Sequence, residues 1–177
     1  MAAVLISTRR AERGIMECER ALSLNPSLAS ARAMLGLAKY LLGRGEETEG
    51  HVEEALRLSP LDTFAYLWML FAGVAKIQTE EYDKALEWLR RSIDTNPNSP
   101  WAHFHLGVAL QLTGKAEGAQ AEAQAGLLLD PTFTAERYRS LAASDHRRYL
   151  ANRERTIQAL QAAGVPEGRK VSREKSS

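Results

Sequence analysis

Four short stretches decide the fold, and each ends in a proline: ERALSLNP at 19–26, EEALRLSP at 53–60, RRSIDTNP at 90–97 and AGLLLDP at 125–131. The successive prolines are 34, 37 and 34 residues apart. Each stretch carries apolar residues at helical spacing, and another amphipathic stretch follows each proline. A fixed period of this length predicts an array of repeated helical units rather than one irregular globule.

Small residues recur at fixed places between these prolines. If each repeat is numbered so that its proline is position 32, then positions 8, 20 and 27 hold only Gly, Ala, Ser or Thr. Position 8 is Gly36, Gly73 and Gly107; position 20 is Gly14, Thr48, Ala85 and Ala119; position 27 is Ala21, Ala55, Ser92 and Gly126. Small residues allow two helices to pack within about 8–10 Å of each other. With proline at position 32, the pattern resembles the tetratricopeptide family, whose 34-residue unit is a helix–turn–helix. The resemblance covers roughly residues 10–131.

The resemblance implies an all-α fold: a right-handed α-solenoid of about 3.5 tetratricopeptide repeats with a C-terminal cap helix. Composition agrees, because Ala (27) and Leu (24) far outnumber Val and Ile together (11). We predict a repeat array over 1–163 and a disordered polar tail over 164–177. The array divides into a partial repeat at 1–26, full repeats at 27–60, 61–97 and 98–131, and a degenerate repeat with the cap helix at 132–163.

The predicted helices follow from the apolar periodicity and from the helix-end signals. They cover 10–24, 28–42, 46–58, 63–78, 81–95, 100–113, 116–128, 133–142 and 146–163. The third repeat has three extra residues near Thr63–Met69, which predict a longer first helix with Asp62 as its cap. Ser99 followed by Pro100 predicts another helix start, and Gly43, Gly45 and Gly114 predict turns.

Several classes of function are excluded by composition. A net charge of +1 argues against a general nucleic-acid binder, and no apolar run reaches membrane-spanning length. The single Cys18 excludes a disulfide scaffold, and we interpret it as a small core residue. His103 and His105 are two residues apart on one predicted helix, so they cannot chelate one metal ion. We expect a cytoplasmic protein without enzymatic activity, cofactor or metal.

The C-terminal region departs from the repeat. Leu150, Ile157 and Leu160 form one apolar stripe with most arginines elsewhere, which predicts a cap helix with a solvated face. Four stretches resemble the C-terminal repeat region of bacterial multidomain signalling proteins. They are LSPLD at 58–62, the run from Glu80 to Thr134, RRYL at 147–150 and IQALQAAGVPE at 157–167. Such signalling proteins include class III adenylate/guanylate cyclases. The resemblance implies a catalytic or DNA-binding domain before Met1.

In tetratricopeptide arrays the first helix of each repeat lines a concave groove. The family resemblance implies that fourteen residues of this chain line such a groove. They are Met34, Leu37, Tyr40, Leu41, Leu67, Leu70, Phe71, Val74, Ile77, Trp101, Phe104, His105, Val108 and Gln111. This set contains no Lys or Arg to clamp a C-terminal carboxylate, and its mostly apolar character suits an amphipathic helix or apolar peptide. The partner is expected to be another protein, a second copy of the chain or an adjacent domain.

Two alternatives stay open at this point. The chain could fill its own groove, either with the cap helix or with MAAVLIS at 1–7, and act as a structural spacer. It could also be an enzyme with an unrecognised site, which would require a cleft holding a strongly perturbed acid or histidine.

Overall fold

The structure, a computed structural model, describes residues 10–168, and within that range it is all-α without a strand. The helices are α1 (Ala11–Leu24), α2 (Ala29–Leu41), α3 (Thr48–Leu58), α4 (Ala65–Gln78), α5 (Tyr82–Thr95), α6 (Pro100–Leu112), α7 (Ala116–Leu129), α8 (Ala135–Ser140) and α9 (Arg147–Ala162). Every end lies within two residues of its prediction. Residues 1–9 and 169–177 lie outside the described residues. They hold the start of the predicted partial repeat, with MAAVLIS, and most of the predicted tail.

The helices form an array of neighbouring pairs. Helix α1 packs on α2, and the pairs α2–α3, α4–α5 and α6–α7 each pack against the next pair in chain order. A methyl group added at Gly36 would lie 3.1 Å from the Thr48 carbonyl oxygen, and one at Gly107 would lie 3.1 Å from the Ala119 carbonyl oxygen. Ten of the eleven small repeat positions are buried, and only Ala21 is partly exposed. The predicted close approach of helices is confirmed.

The turn after each first helix uses a backbone conformation that favours glycine. Gly43 and Gly114 have φ angles of 73° and 76°, as predicted for these turns. Glu80 occupies the corresponding place in the third repeat with a φ of 64°, so a side chain stands where the other repeats have none. Its carboxylate contacts Arg155 of α9, which ties this turn to the C-terminal helix.

The extra residues of the third repeat lie mainly in a turn, and its first helix is longer than that of its neighbours by a single residue. Helix α4 has 14 residues and α2 has 13, whereas Ser59–Phe64 is a longer connection than 25–28 or 96–99. The cause is local: Asp62 Oδ1 accepts a hydrogen bond from the Phe64 amide at 2.8 Å, and this turn delays the helix until Ala65. Pro100 is the first residue of α6 as predicted, although the Ser99 side chain makes no capping bond.

The chain after α7 turns back on the array. Thr134 caps the short α8 by accepting from the Arg137 amide at 3.1 Å, and α9 then packs against α4, α6 and α8. Residues 164–168 continue along α8, since the Ala135 amide donates to the Pro166 carbonyl at 2.9 Å and Val165 is buried. The ordered chain therefore extends past residue 164, where the polar tail was predicted to begin. No helix in the described part of the chain is long and apolar enough to cross a bilayer.

Candidate functional site

The fourteen predicted groove residues fall into two groups in the structure. Eight are buried inside the chain: Tyr40, Leu41, Leu70, Val74, Ile77, Phe104, His105 and Val108. Six keep partial exposure: Met34, Leu37, Leu67, Phe71, Trp101 and Gln111. Apart from His105, the buried group belongs to the main core cluster together with apolar residues of α9. Partner binding at the fourteen positions stays a prediction, but only the second group reaches the surface of this chain.

Helix α9 covers the buried residues at the C-terminal ends of α2 and α4, whereas Phe104 is stacked on Phe133 in the turn before α8. The ring of Tyr149 packs edge-on against Tyr40, with 5.4 Å between the ring centroids. Arg148 Nη1 donates to the Gly43 carbonyl at 2.7 Å and also pairs with Glu46 at 2.9 Å. Further along the helix, Arg155 donates to a carbonyl at the end of α4. The chain therefore fills the part of its own groove that the C-terminal halves of α2 and α4 line, which agrees with the alternative that the cap helix occupies the groove.

The buried face of α9 differs from the predicted stripe. Leu150 is 40% exposed, whereas Arg153, predicted on the solvated side, is only 8% exposed. The buried face includes Tyr149, Arg153, Ile157 and Leu160. The prediction was wrong at these two residues because it placed only apolar side chains on the buried face. A charged side chain can also be buried there when it has hydrogen-bonding partners.

Arg153 lies between two tyrosine rings. Its guanidinium carbon is 3.9 Å from the ring centroid of Tyr138 and 5.7 Å from that of Tyr149. One amino group donates to the Tyr138 carbonyl, and another lies 3.3 Å from the Tyr149 hydroxyl. Aromatic faces and a carbonyl acceptor compensate the charge for its loss of water. Arg153 therefore fixes α9 to α8 rather than serving an incoming ligand.

His105 belongs to the same cluster and is held neutral. Its Nδ1 lies 2.8 Å from the Trp101 carbonyl, which can only accept, so Nδ1 carries the proton. Nε2 is then free to accept from the Tyr138 hydroxyl at 3.3 Å. Burial lowers the pKa of His105 to about 4 and raises the pKa of Tyr138 to about 12. The perturbed histidine is explained by packing, since its side chain is buried among Trp101 and Tyr138.

The other candidates for chemistry have structural partners. His103 faces Glu122 of α7, 2.7 Å away, on a different side of α6 from His105, as the spacing predicted. Among the residues described, no group of three or more His, Cys, Asp or Glu side chains is placed to hold a metal ion. Burial, followed by the nearby Glu19, raises the pKa of the Cys18 thiol, which agrees with a core role.

An open pocket remains beside the N-terminal halves of α2 and α4, and no residue of α9 lines it. It is an apolar cavity of about 530 Å³ between α1, α2 and α4. Three predicted groove residues line it, Met34, Leu67 and Phe71, and Leu28 and Phe64 stand at its edge with 37% and 58% exposure. Ala21, the one small repeat position that is not buried, also lines it. Exposed apolar concavities are where interaction sites are expected, so this pocket is the candidate site.

The charges around this pocket have one sign. Within residues 10–168, Glu17 of α1 and Asp62 of the turn before α4 are the charged residues that line it. Helix α2 packs between α1 and α4, so the two carboxylates lie on opposite flanks of the pocket. The pocket can therefore accept apolar side chains at its centre and hydrogen-bond donors at two edges.

Comparison with known proteins agrees with this architecture. The family model described as "TPR repeat" matches residues 73–114, which run from the middle of α4 to the turn after α6. The fold is a tetratricopeptide repeat array. MamA of Desulfovibrio magneticus RS-1, solved from its residue 41 to its end, superposes on the array with a TM-score of 0.64 at 16% identity, covering 91% of this chain and 92% of that one.

Two further proteins are similar to the array. YrrB, described as "a TPR protein with an unusual peptide-binding site", has a TM-score of 0.60 and 26% identity, covering 92% of this chain and 80% of its own. Protein IFIT1 homolog B of Homo sapiens is 32% identical over 90 residues, which is 51% of this chain and 18% of that protein. The array thus spans less than a fifth of this curated relative.

Sequence reasoning missed the residues that give the pocket its edge. Leu28, Asp62 and Phe64 lie in the turns between repeats, outside the helical positions considered for the groove. One signal was available: Phe64 is a large aromatic in the inserted turn, where no helix periodicity requires burial. Arg153 and Tyr149 carried no such signal, because their partners lie on other helices.

Proposed function

We propose that this array is a non-catalytic protein interaction module that binds an apolar helix or peptide in the pocket between α1, α2 and α4. The observation that supports it is the exposure of Phe64, Phe71 and Met34 around one apolar cavity of about 530 Å³. Aromatic and methionine side chains are the types that carry most interface energy. The peptide-binding site named in the description of YrrB, which has the same fold, supports a peptide-like partner.

Peptide selection on the immobilised full chain tests the proposal. We expect selected peptides to share large apolar residues, and Phe64→Glu and Phe71→Glu to weaken their binding roughly tenfold or more, measured by fluorescence anisotropy. Leu128→Glu is the matched control, because Leu128 is an exposed apolar residue of α7 away from the pocket. Circular dichroism should show an intact fold in all three variants. Binding that ignores both phenylalanine substitutions contradicts the proposal.

A second function is favoured by the position of α9. Since this helix packs on α4 and α6 and contacts Tyr40 and Ile77, the array could serve as a self-capped structural spacer. The two functions differ in one measurement: a spacer selects no peptide through Phe64 or Phe71. A homodimer formed through the pocket is a form of the first function, and its mass in light scattering would fall on Phe71→Glu.

The proposal extends to the parent protein. We place the array in a cytoplasmic bacterial signalling protein, such as an adenylate/guanylate cyclase with a repeat region, on the sequence resemblance of 58–62, 80–134, 147–150 and 157–167 alone. Catalysis would then belong to a domain outside this chain. The gene sequence upstream of Met1 tests this part: a cyclase or DNA-binding domain there supports it, and an unrelated domain contradicts it.

A further inference from the structure

We infer that the partner of this pocket is a peptide or helix with an apolar anchor flanked on both sides by Lys or Arg. The inference rests on the proposed function and specifies its partner. It follows from the two carboxylates, Glu17 and Asp62, that stand on opposite flanks of an otherwise uncharged cavity.

The two carboxylates are placed to act separately. Glu17 lies on α1 and Asp62 in the turn before α4, with α2 between these elements. Both are partly exposed, so each can meet a cation without the full cost of burying a charge. Glu17 makes no ion pair within residues 10–168, and Asp62 uses one oxygen for the Phe64 amide. Each flank therefore offers an acceptor to an incoming donor.

Basic side chains near the pocket face other groups. The pKa of Glu54 is lowered mainly by its hydrogen bond with Arg57 and that of His51 mainly by burial, and Arg32 of α2 is close enough to both to add to each shift. Arg13 of α1 lines a separate cavity together with His146. No basic side chain lines the pocket itself among the residues described, so the two carboxylates set its electrostatic preference.

The apolar centre and acidic flanks act on different properties of binding. Contacts with Phe71, Leu67 and Met34 remove apolar surface from water and supply affinity. The carboxylates select partners by charge, because an acidic flank on the partner would be repelled at both edges. A separate partner with basic flanks therefore fits better than an acidic or uncharged one.

Two helical peptides with the same leucine-rich face, one flanked by lysines and one by glutamates, test the inference against the full chain. We expect the lysine-flanked peptide to bind roughly two- to thirtyfold more tightly in fluorescence anisotropy, the range that two partly exposed ion pairs supply. The difference should shrink as salt is added. It should also shrink in the double variant Glu17→Gln/Asp62→Asn, where the new Asn can still accept from the Phe64 amide.

The control repeats the same chemical change elsewhere. Glu87→Gln/Asp94→Asn removes two exposed carboxylates of α5, which is not part of the pocket, and should leave the preference unchanged. Equal binding of both peptides, with Phe71→Glu still abolishing it, overturns the inference and leaves the proposed function standing. If neither peptide binds, both fail.

Two other occupants would also overturn the inference, and each has its own readout. If residues 1–9 of the chain occupy the pocket, Leu5→Glu should increase affinity for both peptides alike. If a second copy occupies it, light scattering should show a dimer that Phe64→Glu dissociates. A monomer whose preference for the lysine-flanked peptide ignores Leu5→Glu supports a separate cationic partner.

Discussion

The ring of Tyr149 in α9 packs edge-on against the ring of Tyr40 in α2, with 5.4 Å between centroids and 75° between ring planes. This contact joins the last helix to the first complete repeat. It divides the concave face into a part closed by α9 and the open pocket between α1, α2 and α4. The division explains why only some of the predicted groove residues can meet a partner.

Removing the Tyr149 ring should loosen the closed part of the groove. Tyr149→Ala is expected to lower the free energy of unfolding by about 3–5 kcal/mol, since a fully buried aromatic and its ring contact are lost. Urea denaturation measures the change. Leu150→Ala, one residue further along α9 and 40% exposed, is the control and should cost much less. Equal effects would mean that α9 is not seated as described.

The planar guanidinium of Arg153 is expected to matter more than its charge. Arg153→Lys keeps the charge but loses the stacking on Tyr138 and the forked hydrogen bonds, so it should destabilise the fold by about 1–3 kcal/mol. The exposed Arg147→Lys serves as the matched control on the same helix and should be nearly neutral. Thermal unfolding at neutral pH distinguishes them. A neutral Arg153→Lys would show that charge alone is sufficient.

Stability should fall in mildly acidic solution because of His105. Burial lowers the pKa of His105 to about 4 in the folded state, so between its unfolded value of about 6.5 and 4 the unfolded chain binds the extra proton. The stability that the neutral His105 contributes is therefore fully present above this pH window. As the pH falls through the window, the free energy of unfolding decreases by about 3 kcal/mol in all. Urea denaturation from about pH 7 to about 4.5 measures the loss, above the range where ordinary carboxylates dominate.

His105→Gln should flatten the pH dependence in this window. His51→Gln is the comparison variant, because burial also lowers the pKa of His51, which is only partly exposed on α3. It should remove a smaller part of the slope. A wild-type slope that persists in His105→Gln would place the titrating group elsewhere.

Helix α7 packs so closely on α6 at Gly126 that an added methyl group should destabilise the fold. A Cβ there would lie 2.6 Å from Cε1 of Phe104, whose ring is stacked on Phe133 and has little room to move. Gly126→Ala is expected to destabilise by about 1–3 kcal/mol despite its better helix propensity. Gly50→Ala in α3 meets nothing within 4 Å and should instead stabilise by up to about 1 kcal/mol. Opposite signs in denaturation confirm the contact; matching signs contradict it.

The repeat was determined by the sequence alone. Small residues such as Gly36 and Gly107, the turn at Gly114 and the four prolines act within one repeat or between adjacent helices, so a fixed period reveals them. The inserted turn at Ser59–Phe64 escaped because the period counts residues but does not say whether they join a helix or a loop. Asp62 decided this by a local hydrogen bond.

Only the tertiary structure decided which part of the groove is open. Tyr40 and Tyr149 are far apart in sequence, and Arg153 is buried by rings from α8 and α9 that no helical periodicity reports. The pocket at Phe64 and Phe71 likewise depends on which parts of α2 and α4 the last helix leaves uncovered. Sequence periodicity describes contacts that recur with the repeat, whereas the C-terminal helix makes its contacts once, across repeats, and those contacts determine the accessible surface.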